Sequence, residues 1–132
     1  MSEDPGFQPG QYRIVVVDDE AAMLGILHRT LEARGYQISS FDNPADVVES
    51  IQVHGGDLLL TDYHMPGMTG LNLVQELRSG GWKGQVVVMS GHIHNVPRSQ
   101  LESLGVKEFL EKPFSPFSLY EVLRKSLSPV RA

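Results

Sequence analysis

Five short runs of apolar and β-branched residues, each followed by a segment with helical spacing, constrain the fold of this chain more than any other feature. They fall at 13–17, 36–41, 57–61, 85–89 and 107–110. The first, third and fourth hold uninterrupted apolar stretches: Ile14-Val15-Val16-Val17, Leu58-Leu59-Leu60 and Val86-Val87-Val88-Met89. A strand with one face in water alternates polar and apolar residues, whereas a strand apolar throughout is covered on both faces. Such strands, linked through helices, give a parallel sheet with right-handed crossovers and helices above and below it. The pattern therefore predicts one doubly wound α/β domain over residues 12–127. A polar, Pro- and Gly-rich lead at 1–11 is expected to be disordered, and 128–132 to form a short tail.

The intervening helices have legible ends. Leu24, Leu27 and Leu31 recur at helical spacing, and Gly35 is placed to end that helix in a left-handed cap. Asn43-Pro44 reads as an N-cap followed by proline at the first helical position, with Val47, Val48 and Ile51 inward. A third helix is expected from about Gly70 to Ser79, burying Leu73, Val74 and Leu77, and stopped by Gly80-Gly81. The fourth, Pro97 to Leu104, has only Leu101 and Leu104 as anchors, and the last opens at Ser115-Pro116 with Leu119, Leu123 and Leu127 inward.

Composition removes several function classes. The chain has 132 residues and no cysteine, so disulfides, thiolate chemistry and Cys-ligated zinc are excluded. Net charge is −5 with eleven scattered basic residues, which argues against direct nucleic-acid binding. No stretch approaches the roughly 20 apolar residues of a membrane span, and the acidic start Met1-Ser2-Glu3-Asp4 does not resemble a signal peptide. A cytoplasmic location is expected.

In an open parallel sheet, sites lie beyond the carboxyl ends of the strands. There the charged residues of this chain gather: Asp18 and Asp19 after the first run, Asp62 after the third, and Lys112 after the fifth. Three carboxylates a few ångströms apart cannot all stay ionised without a counter-cation. A hard divalent ion with oxygen ligands removes the repulsion, and magnesium also neutralises charge that builds on a transferred phosphoryl group. Ser90, ending the fourth run ahead of Gly91, can donate a hydrogen bond to a phosphoryl oxygen.

The acid pair Asp18-Asp19, the stretch Asp62-Tyr63-His64-Met65-Pro66 with Gly70 beyond it, Ser90, and Lys112-Pro113 resemble the receiver domain of two-component response regulators. The likeness covers about residues 13–127, with four motifs in the right order. It implies a flavodoxin-like five-stranded parallel sheet of order 2-1-3-4-5 with five helices, and Asp62 as phosphoacceptor. Magnesium would be held by Asp19, Asp62 and the backbone carbonyl of His64, with Asp18 acting through water. Lys112 would pair with the phosphoryl group, across a Lys112-Pro113 bond that is typically cis. By the same resemblance the switch runs from Ser90 to Phe109 on the fifth strand. The family often has tyrosine there, so without the hydroxyl the switch is expected to work by packing alone. His64 and His92 occupy positions that tune phosphoryl lifetime in the family.

The function this implies is a phospho-acceptor signalling switch. A histidine kinase or histidine phosphotransfer protein supplies the phosphoryl group. The face of helix four, strand five and helix five then repacks to meet a downstream effector or a second copy. The chain would catalyse only its own phosphorylation and dephosphorylation. Two other readings remain. A haloacid-dehalogenase-like phosphatase shares the aspartyl-phosphate chemistry, but wants its nucleophile after the first strand with a second Asp two residues later. A receiver-like docking module would work without phosphorylation. With about 20 residues after Lys112, no DNA-binding or enzymatic effector is expected within the chain.

Overall fold

The computed structural model describes residues 6–128. Five parallel strands, β1 (Arg13–Val17), β2 (Gln37–Phe41), β3 (Leu58–Asp62), β4 (Gln85–Ser90) and β5 (Glu108–Glu111), form one sheet in the order β2-β1-β3-β4-β5. Among the described residues five α-helices alternate with them: α1 (Ala21–Glu32), α2 (Pro44–His54), α3 (Gly70–Ser79), α4 (Arg98–Ser103) and α5 (Pro116–Leu127). This is the expected flavodoxin-like topology. Among the described residues no helix is long and apolar enough to cross a membrane.

The two-residue period of the strands divides their side chains between two cores. Val15, Val17, Leu59, Val86 and Val88 pack with Val47 and Ile51 of α2, Leu73, Val74 and Leu77 of α3, and Leu101 of α4. Ile14, Val16, Leu58, Leu60, Val87 and Met89 pack with Leu27 and Leu31 of α1 and with Leu119, Leu123 and Leu127 of α5. All of Ile14 to Val17 and Leu58 to Leu60 are fully buried, as strands covered on both faces must be. Cutting one such leucine to alanine costs about 2–5 kcal/mol, because the cavity adds to the lost transfer energy.

Local chemistry sets the helix boundaries. The Asn43 side-chain oxygen accepts from the Ala45 amide at 2.9 Å, with Pro44 at the first helical position. Thr69 and Asn72 exchange hydrogen bonds in a capping box at the start of α3, and Ser115 Oγ accepts from the Ser118 amide at 3.1 Å. Helix α1 ends at Glu32, just past Leu31, and Gly35, expected to cap it, takes φ 101° in the turn that follows. Helix α4 is one residue shorter at each end than expected, starting after Pro97 and preceded by a 3-10 turn at Ile93–Asn95.

The lead differs from its expected disorder where it is described. Pro9–Gln11 forms a 3-10 turn, Phe7 stacks on Tyr12 with ring centroids 5.3 Å apart, and Phe7 meets Tyr36 edge-on at 6.4 Å. Apolar contact with the sheet's near end outweighs the local preference of a Gly- and Pro-rich segment. The part of the lead at 1–5 and the tail at 129–132 lie outside the described residues.

Candidate functional site

Strand register places the charged residues. Val17 pairs with Thr61, so Asp18 and Asp62 leave adjacent strands side by side. Asp62 pairs with Met89 and Ser90 with Glu111, which sets Ser90 one step past the acid and Lys112 one step past Ser90. The Lys112 amide donates to the Ser90 carbonyl at 2.9 Å, extending the pairing to the lysine itself. The following Lys112-Pro113 bond is cis.

The side chains converge. Lys112 Nζ lies 3.0 Å from Asp18 Oδ2 and 3.0 Å from Asp62 Oδ1. The other oxygen of Asp18 accepts from the Glu20 amide at 2.9 Å, which turns the chain into α1. Asp18 is fully buried, Asp62 is 7% exposed and Asp19 faces solvent. Carboxylate oxygens of Asp18, Asp19 and Asp62 all lie within 4.8 Å of one another. Glu108, on β5, engages Lys125 at 3.3 Å.

Burial pushes the Asp62 carboxyl above its ordinary value of 3.8; the hydrogen bond and charge of Lys112 pull it back only in part, and Asp18 and Asp19 add repulsion. Burial alone would lower the Lys112 ammonium. Its contacts with Asp18 and Asp62 outweigh that and raise it above 10.5. One cation thus serves two buried carboxylates while a third faces water, which leaves the cluster short of positive charge. Three hard oxygen donors at this spacing suit a divalent ion that takes oxygen ligands at about 2.1 Å and keeps several waters.

The rim is built by turns. Gly67 has φ 82°, and the Gly70 amide donates to the Tyr63 carbonyl at 2.8 Å. A Cβ at Gly70 would stand 3.3 Å from Tyr63 Cα and 3.4 Å from the Asp62 carbonyl oxygen, so that helix start needs its glycine. Ser90 is buried, and its hydroxyl oxygen accepts from the His92 amide at 2.9 Å, leaving its proton to donate elsewhere. The exposed His64 and His92 rings face each other edge-on at 6.3 Å. Phe109 stands apart from the acids: it is half-buried on β5, and the Arg98 guanidinium lies 4.2 Å from its ring centroid.

Two arginines escaped the sequence reading. Arg98 is one. The other, Arg78, donates to the carbonyls of Leu104 (2.9 Å), Trp82 (3.1 Å) and Gly84 (2.9 Å) at the opposite end of the sheet. Neither has a sequence signature, because its partners are fixed by helix placement; the Gly80-Gly81 turn after α3 is the only local hint that the chain folds back towards Arg78.

Comparison with known proteins agrees with this geometry. The family described as "Response regulator receiver domain" matches residues 14–124. The transcriptional regulatory protein FixJ of Azorhizobium caulinodans is 32% identical over 120 residues, which are 90% of this chain and 56% of that protein. Among solved structures, the response regulator TrrA of Thermotoga maritima, in complex with Mg(2+)-BeF, is 30% identical with a TM-score of 0.78, covering 88% of this chain and 99% of that one. Chemotaxis protein CheY4 of Vibrio cholerae shares the fold with a TM-score of 0.81 at 22% identity, covering 88% of this chain and 98% of that one. The chain spans between 16% and 56% of the length of the curated relatives it matches. Sequence motifs, sheet order and family match coincide over the same residues: this chain belongs to the receiver-domain family of two-component response regulators.

Proposed function

We propose that Asp62 is the phosphoacceptor of this receiver domain. The observation that carries the reading is the ammonium of Lys112, 3.0 Å from both Asp18 and Asp62, within a cluster of three carboxylates. Asp19, Asp62 and the His64 carbonyl would hold magnesium, with Asp18 reaching it through water; a bound magnesium ion supplies charge neutralisation for the phosphoryl oxygens. TrrA, similar to this chain, was solved with Mg(2+)-BeF, which supports that choice of ion.

In the step itself, an ionised Asp62 oxygen attacks the phosphorus of a phosphohistidine on a kinase or phosphotransfer protein. The new bond is O–P. The P–N bond breaks, and its electron pair stays on the imidazole nitrogen. Lys112 is free to turn from the carboxylates to a phosphoryl oxygen, and the Ser90 hydroxyl can donate to another. Attack by water later returns phosphate and restores the Asp62 carboxylate. His64 and His92, at the rim, would set how readily that water arrives. The chain then acts as a switch rather than a turnover enzyme, in the cytoplasm, where a kinase charges itself from ATP. The face of α4, β5 and α5 would carry the signal to an effector or a second copy.

Incubation with acetyl phosphate tests this. Expected is one phosphoryl group per chain, dependent on magnesium, lost in Asp62→Ala, without sustained hydrolysis of p-nitrophenyl phosphate. Labelling that survives in Asp62→Ala would overturn the assignment.

A further inference from the structure

Resting on Asp62 as the acceptor, we propose that Arg98 is a latch: its guanidinium caps the Phe109 ring in the unphosphorylated domain and is released when a phosphoryl group occupies the site. The contact is direct, with Cζ 4.2 Å from the ring centroid. A cation over an aromatic face is attracted by the negative charge of the π-system. Phe109 is half-buried, and the cap covers it with charge where the sequence alone suggested packing and nothing more. The same guanidinium meets Glu102 at 3.4 Å, one turn along α4, so that releasing the ring also rearranges charge on an exposed helix.

The path from the site to this latch is continuous in the chain. Ser90 is the last residue of β4, and its hydroxyl oxygen holds the His92 amide at 2.9 Å. From His92 the chain passes through the 3-10 turn Ile93–Asn95 and Pro97 to Arg98, the first residue of α4. A Cβ at Gly91 would meet nothing within 4 Å, so the start of this loop has open space beside it. The hydroxyl that would turn toward an anion on Asp62 is the same group whose oxygen holds the His92 amide, so its reorientation carries the start of the loop with it. The loop carries Arg98, while Phe109 stays fixed on β5, paired with Val88 of β4. The two ends of the contact belong to parts of the chain that can move relative to each other.

A latch made only in the unliganded state is a cost that any phosphoryl mimic must overcome, so removing it tightens binding. Calorimetric titration of the full chain with beryllofluoride in magnesium would compare wild type, Arg98→Met, Phe109→Leu and the double variant. Methionine keeps length and apolar contact without the charge. Arg98→Met should bind about two- to fivefold tighter than wild type, the size expected of an exposed cation–π contact. In the Phe109→Leu background the same change should have no effect, and Arg98→Lys should fall between wild type and Arg98→Met. Should Phe109→Leu not fold, Phe109→Met takes its place. Unchanged or weaker binding in Arg98→Met overturns the latch, as does an equal gain with and without the ring. No binding in any form would remove the phosphoacceptor reading and the latch together; binding of equal strength in all forms removes the latch alone.

Discussion

The two ends of the sheet solve the burial of charge in opposite ways. At the amino ends of the strands, the Arg78 guanidinium meets three carbonyl oxygens and lies against the Trp82 ring at 5.3 Å, while the indole N–H donates to the Gly56 carbonyl at 2.9 Å. Backbone dipoles take up that charge, and nothing there asks for another ion. At the carboxyl ends, two carboxylates with little exposure share one ammonium, and a third acid stands beside them. The first arrangement holds the fold together. The second leaves a deficit of positive charge that a ligand can fill, which is how a domain stores sensitivity at one edge and rigidity at the other.

The largest expected effect comes from removing the lone cation. Lys112→Ala leaves the carboxylates of Asp18 and Asp62 buried and uncompensated, and should cost the metal-free protein about 3 kcal/mol or more at neutral pH, measured by urea unfolding. The deficit should shrink as pH falls through the Asp62 pKa. That carboxyl is raised in the folded state, so the native protein binds its proton first and acidification favours folding at this group. Lys112 runs the same way in wild type. Its raised pKa gives stability that is complete below 10.5 and lost as pH rises through the higher folded value. A Lys112→Ala protein as stable as wild type would mean the cluster is not short of charge at all.

Arg78→Ala tests the other end. Charge-assisted bonds to three carbonyls are lost from a half-buried position, and a fall of about 2–3 kcal/mol is expected. Magnesium-dependent labelling at a temperature where the variant is folded should be unchanged, since the brace touches no part of the acidic cluster. Loss of labelling in the folded variant would show the two ends to be coupled and the comparison false.

The smallest effect sharpens the separation. Trp82 sits in the loop before β4, at the end of the sheet away from the acids, and its indole is tied to Gly56. Adding millimolar magnesium should leave its fluorescence nearly unchanged; a large quench would contradict that separation.

What could be foreseen follows the range of the forces involved. Apolar runs and helical spacing are local, and they sufficed to predict five strands, their parallel arrangement and the caps at Asn43 and Ser115. The convergence of Asp18, Asp62 and Lys112 was also legible, although Lys112 and Asp18 are 94 residues apart, because in a parallel sheet every strand ends at the same edge. Phe7 was misjudged: a Gly- and Pro-rich lead has no local reason to order, and only the presence of Tyr12 and Tyr36 beside each other makes a surface for it.

The amino-acid sequence by itself determined which edge of the sheet would be acidic, since alternation of strands and helices dictates where each run must stop. The tertiary structure decided how the charges share partners: that one ammonium bridges two acids, that Arg78 closes the far end, and that Arg98 rather than a hydroxyl attends Phe109. Those pairings depend on distances between side chains from separate elements, which packing sets and no local pattern encodes.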